Sequence, residues 1–275
     1  MKKVNLILAM GFISASAFIA SCAKESTSSI ADVQVKNAQD NAIAITSFEN
    51  VDLSTASSAL KADIVDSTDI DSLPPCKITH MGKGKIEKEF NFDGYSHGGK
   101  GHSGKIQQTI TYPIDSTKEE GKVEKMHFDN FKQGGRKLEG TKTITYLGKP
   151  DGIHSEWEVK LDSGKITLKN GVVVTFSYDI IRKQIAGDST LTKKDDVFEI
   201  NGTGSGVNRK GVAYTVTTTN LIKANDCRYF KSGTVTYVSD KTIVTNYNSG
   251  DNCEPSATIT VDGVVQTINI DIEKN

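Results

Sequence analysis

The stretch Asn170-Gly171-Val172-Val173-Val174-Thr175-Phe176-Ser177-Tyr178-Asp179-Ile180 decides the fold class. Asn-Gly is the two-residue signature of a tight hairpin, because both central positions must take positive φ. Beyond it, Val172, Val174, Phe176, Tyr178 and Ile180 fall on one face. Period-two alternation describes a strand with one dry and one wet side. The same rhythm recurs outward in both directions. It places Ile86, Phe90 and Phe92 on one face, Ile106, Ile110 and Tyr112 on another, then Val212, Tyr214 and Val216, and finally Ile268, Ile270 and Ile272. Turn chemistry separates the runs at Gln133-Gly134-Gly135, Asp162-Ser163-Gly164, Asn208–Gly211 and Asp262-Gly263. Strands every 10–12 residues or so imply about twelve to fourteen in all. A sheet that large curls, splits into two layers or closes. The pattern predicts an all-β domain: an antiparallel up-and-down meander curled into a large twisted sheet, sandwich or open barrel.

The start of the chain reads differently. Lys2 and Lys3 precede an apolar run from Val4 to Ile19, and small residues Ala20 and Ser21 lead to Cys22. A charged start, a short apolar core and a small-residue cut site are what signal peptidases read. Residues 1–21 are therefore expected to be a removed signal peptide. Ile19-Ala20-Ser21-Cys22 resembles the lipobox of bacterial lipoproteins. That resemblance implies lipid on the Cys22 thiol and acylation of its new amine, and several acyl chains anchor stably where one does not.

Residues 24–75 hold three Lys against nine Asp and Glu, a net −6, and contain one aromatic, Phe48. Low hydrophobicity with net negative charge predicts disorder. Residues 22–75 are expected to form a lipidated, acidic, largely disordered tether, with room for a short helix near Ser47–Ala62. Pro74-Pro75 closes it, and the β domain spans 76–275. That domain carries 28 Lys and Arg against 25 Asp and Glu, with mixed signs. Nucleic-acid binding needs a concentrated basic face, so none is expected.

Three cysteines follow Cys22: Cys76, Cys227 and Cys253. An odd number leaves one thiol over. Strand patterns at 232–238 and 242–248 bring Cys227 and Cys253 to the open end of one hairpin, which favours a Cys227–Cys253 disulfide. Free buried thiols, or a metal held with Asp226, Asp251 and Glu254, remain open alternatives.

The Gly-rich segment 95–104 contains two of the five histidines. No shared helical or strand face joins them, so an exposed hairpin loop is expected. Loops commonly carry binding functions, and Tyr95, His97, Lys100 and His102 are the leading contact residues. Asn201–Gly206 echoes a phosphate loop but is followed by a strand pattern and no helix. No Ser–His–Asp arrangement can be argued, and Gly204-Ser205-Gly206 lacks the strand–elbow–helix context of a nucleophile. Trp157 and the tyrosines read as packing residues ahead of a sugar platform. No catalytic role, cofactor or metal is expected.

From Cys76 onward the chain resembles uncharacterised Bacteroidota envelope lipoproteins. The phrases that carry this are Gly104–Tyr112, Phe128-Asp129-Asn130-Phe131 with Leu138-Glu139-Gly140-Thr141, and Gly250-Asp251-Asn252-Cys253. The resemblance implies an envelope β-protein and supplies no substrate; with the lipobox, an anchor in the outer membrane through Cys22 is expected, on either its periplasmic or its surface face. A non-catalytic module binding glycan, protein or another envelope component is the leading expectation. A lipid- or lipoprotein-handling protein with an open apolar trough is the alternative.

Overall fold

The computed structural model describes residues 29–63, 74–82, 84–97, 100–114, 119–190, 193–248 and 253–270. Of residues 52–63, 97 and 100 it describes the backbone alone. Among the described residues one helix, α1 (Asp32–Asp63), precedes fourteen strands. These are β1 (Cys76–Gly82), β2 (Lys85–Asn91), β3 (Ser96–His97), β4 (Lys100–Thr111), β5 (Val123–Gln133), β6 (Arg136–Gly148) and β7 (Glu156–Thr167). There follow β8 (Val173–Ala186), β9 (Val197–Val207), β10 (Ala213–Ala224), β11 (Ser232–Val238), β12 (Thr242–Asn248), β13 (Ser256–Val261) and β14 (Val264–Asn269).

The strands pair strictly in chain order, all antiparallel, with β3 as a short flap on β4. The up-and-down meander read from the sequence is thus the observed topology. It is one open sheet, because β1 and β14 do not pair with each other. Alternation along β8, β10 and β12 sends Val174, Phe176, Tyr178, Val216, Ile243 and Tyr247 to a shared interior.

The tether expectation fails over Asp32–Asp63. This segment is helical, and from Asn37 to Glu49 every residue except Gln39 is buried. Phe48 is fully enclosed and meets Phe128 of β5 edge-to-face at 5.6 Å. Other side chains of α1 reach β6, β8 and the β9–β10 turn, and its backbone runs beside β12, β13 and β14. The sheet therefore curls around the helix, which fills its concave face. A helical segment enclosed as Asn37–Glu49 is needs no polar face, so no amphipathic stripe marks it in the sequence. Residues 1–21, Cys22 and the rest of the expected tether at 23–28 and 64–73 lie outside the described residues.

Bulges give the sheet its curl. Asp162-Ser163-Gly164, read from the sequence as a turn, is a bulge inside β7, with Ser163 at φ 53° and the register shifting between Leu161 and Gly164. At Phe128–Lys132 the register shifts again, with Asn130 at φ 50°, so Phe128 and Phe131 both point inward despite their odd spacing. Gly104 faces this bulge at φ +82°, and a Cβ there would sit 2.2 Å from the Asn130 carbonyl oxygen.

Candidate binding groove

The outer face of β7–β11 carries an open groove of about 940 Å³. Its floor is a cross-strand row: Ser177 pairs with Ser205, Ser205 with Thr215, and Thr215 with Val238. A second row sets Thr175 opposite Val207 and Val207 opposite Ala213. Every side chain in both rows points away from the interior, because the inward positions of the same strands are taken by Phe176, Tyr178, Tyr214 and Val216.

Glycine explains the depth. From Gly202 to Gly206 every inner position of β9 is a glycine, so beyond Ile200 the strand places no side chain on that side. The Tyr214 ring lies across Gly206, whose added Cβ would fall 2.7 Å from the Tyr214 hydroxyl and 2.0 Å from the Thr175 carbonyl oxygen. The Tyr214 hydroxyl donates to that carbonyl at 3.0 Å. Burial raises the Tyr214 phenol above its usual range, so it stays a neutral donor. Thr175 Oγ1 accepts from the Val207 amide at 3.0 Å, and Ser239 Oγ donates to the Ala213 carbonyl at 3.1 Å. These bonds brace the rim. Among the described residues that line the groove, one side chain is cationic and one anionic. Lys165, at one end, already pairs with Glu139 at 2.8 Å, and Asp240 is exposed at the other.

Two ionic clamps fasten α1 beneath this sheet. Glu49 accepts from Lys142 Nζ at 3.3 Å, from the Tyr178 hydroxyl at 2.8 Å and from Arg182 at 2.7 Å. Burial pushes its carboxyl up, but Lys142 and Arg182 outweigh that and hold it at about 2. Asp40 takes a bidentate fork from Arg209, with Arg209 Nε 2.7 Å from Oδ2. Burial nonetheless raises the Asp40 carboxyl, with Arg209 opposing. Neither clamp was visible in the sequence, since the partners lie 93 to 169 positions apart.

The contact loop expected at residues 95–104 is partly a packing cluster. His102 is buried in β4, and its ring lies 6.0 Å from Phe92, 5.6 Å from Tyr95 and 6.2 Å from Phe131. Tyr95 is half-buried against Phe92. Gly94 and Gly104, both at positive φ, bend the chain on either side, and the register shifts beside Gly104. The His97 and Lys100 side chains lie outside the described residues. Cys227 and Cys253 are joined, with Cα atoms 5.4 Å apart, and Cys76 is a free, exposed thiol. Among the described residues no group of three His, Cys, Asp or Glu is placed to hold a metal ion. Trp157 is half-buried between Tyr146 and Phe198.

Comparison with family models, with curated proteins and with solved structures finds no match to this chain. Among the described residues no helix is long and apolar enough to cross a membrane.

Proposed function

We propose that the chain is a lipid-anchored protein of the cell envelope whose β domain is a non-catalytic binding module, and that the outer-face groove is its contact surface. The Lys2-Lys3 start, the apolar run and Ile19-Ala20-Ser21-Cys22 support the anchor. The groove carries the binding reading. It is a concave site on rigid central strands, lined by small hydroxyl and aliphatic side chains, and concavity with a few placed polar groups is the usual form of a ligand site. The lipid-handling alternative needs an empty apolar trough, and α1 occupies the concave face.

The test pairs two variants. Cys22→Ala should leave the membrane fraction after a salt wash. Ser205→Trp, which fills the groove from the solvent side, should leave anchoring and folding intact and abolish co-sedimentation of the detergent-purified protein with isolated cell-wall material. Undiminished co-sedimentation of Ser205→Trp would defeat the groove reading.

A further inference from the structure

We infer that the ligand of the groove is a neutral, extended polysaccharide laid across the strands, hydrogen-bonded to the Ser177–Ser205–Thr215 row. The inference rests on the groove being the binding surface.

The hydroxyls of Ser177, Ser205 and Thr215 engage no protein group among the described residues. Each is at once a donor and an acceptor, which is also the character of a sugar hydroxyl. Because they are directly paired across β8, β9 and β10, they repeat at the strand spacing of roughly 4.8 Å. That is close to the rise per residue of an extended glycan. Val207, Ala213 and Val238 beside them offer C–H surface for pyranose faces. The floor bears no charge, and Lys165 at the rim is already neutralised by Glu139, so nothing here selects an anion.

Other occupants fit less well. A peptide that binds by strand addition needs a free sheet edge. The strands β8, β9, β10 and β11 are each paired on both sides, so their backbone groups are spent. A rigid crystalline face needs a flat platform, but neighbouring strands rotate by about 20–25°, and the row follows a curve. A single flexible chain can follow that curve.

The detergent-purified full-length protein is titrated calorimetrically with soluble β-glucan, with mannan, with anionic alginate and with an extended Val/Thr-rich peptide. Saturable binding to a neutral polysaccharide is expected, insensitive to salt. The double variant Ser205→Ala/Thr215→Val keeps shape but loses two hydroxyls and should weaken it about tenfold. Thr215→Ser should retain it. Binding of alginate or peptide alone, no binding of either neutral polysaccharide, or neutral binding indifferent to the double variant overturns the inference. If Ser205→Trp also loses cell-wall co-sedimentation while no neutral polysaccharide binds, the ligand class fails and the groove survives as the contact surface. If Ser205→Trp co-sediments normally, the groove itself fails.

Discussion

Glu49 of α1 and Lys142 of β6 meet in the closed interior, 3.3 Å apart, with side chains 2% and 0% exposed. The Lys142 ammonium also donates to the Phe48 carbonyl at 2.9 Å. With Arg182 and Tyr178 on the other side of the carboxylate, this cluster fastens the helix to β6 and β8. A buried pair adds little net stability over an apolar pair, because desolvation offsets the attraction. Breaking it is costly, because one charge is left buried and alone.

Glu49→Ala should therefore lose about 3–5 kcal/mol of stability. Urea melts followed by far-ultraviolet circular dichroism would show it. A loss well under ~1 kcal/mol would mean that water enters the site and screens it.

Acid should loosen the same clamp. The Glu49 carboxyl is held at about 2 in the folded protein, below its ordinary value. A depressed carboxyl contributes stability that is complete above the unfolded value, about 4.3, and is lost as pH falls through the folded one. Stability should drop between about pH 4.5 and pH 2, and part of that slope should vanish in Glu49→Gln. Identical acid slopes in wild type and variant would assign the loss to other carboxylates.

Lys223 should make stability rise with pH as well, but in the alkaline range. It is buried on β10 and donates to the carbonyls of Ala224 and Cys227. Burial lowers its ammonium to about 8. The unfolded lysine holds its proton to about 10.4, so between these values the unfolded state binds more protons and stability rises with pH. Melts at intervals from pH 7 to pH 10 should show this gain in wild type. Its persistence in Lys223→Met would remove Lys223 as the source.

The disulfide closes a loop of 26 residues. On the chain-entropy account, the double variant Cys227→Ser/Cys253→Ser should lose about 3.5 kcal/mol. Cys76→Ser, at an exposed position on an edge strand, should lose almost nothing. Thermal melts with and without reductant separate the two, since reductant should lower the midpoint of wild type and leave the double variant unchanged.

Gly104→Ala should cost about 2–3 kcal/mol, since it combines a left-handed backbone with a backbone clash. Its φ is +82°, and the new Cβ would meet the Asn130 carbonyl at 2.2 Å. Hydrogen exchange should show the damage concentrated where β4 pairs with β5. A uniform loss across the sheet would argue against a local clash.

The strands were legible because their faces differ in solvent. Val174, Phe176 and Tyr178 alternate with Thr175 and Ser177, and this period survives without knowledge of neighbours. The β11–β12 hairpin and the Cys227–Cys253 bond followed from the same reading, because hairpin partners are near in sequence. Bulges blurred it. Ser163 breaks the period within β7 and reads as a turn, and His102 sits among glycines that suggest a loop although its ring is buried.

By itself, the sequence determined an antiparallel meander and most of its hairpins, and it favoured the Cys227–Cys253 pairing. All of these depend on local alternation and short loops. Only the tertiary structure decided that the sheet stays open, that it curls around α1, and that Glu49 finds Lys142 and Arg182. It also decided which of many serines and threonines align: Ser177, Ser205 and Thr215 become neighbours only once β8, β9 and β10 are in register. The reason is physical. Periodicity records which side of a strand is dry, whereas an enclosed helix and a cross-strand row depend on partners far along the chain.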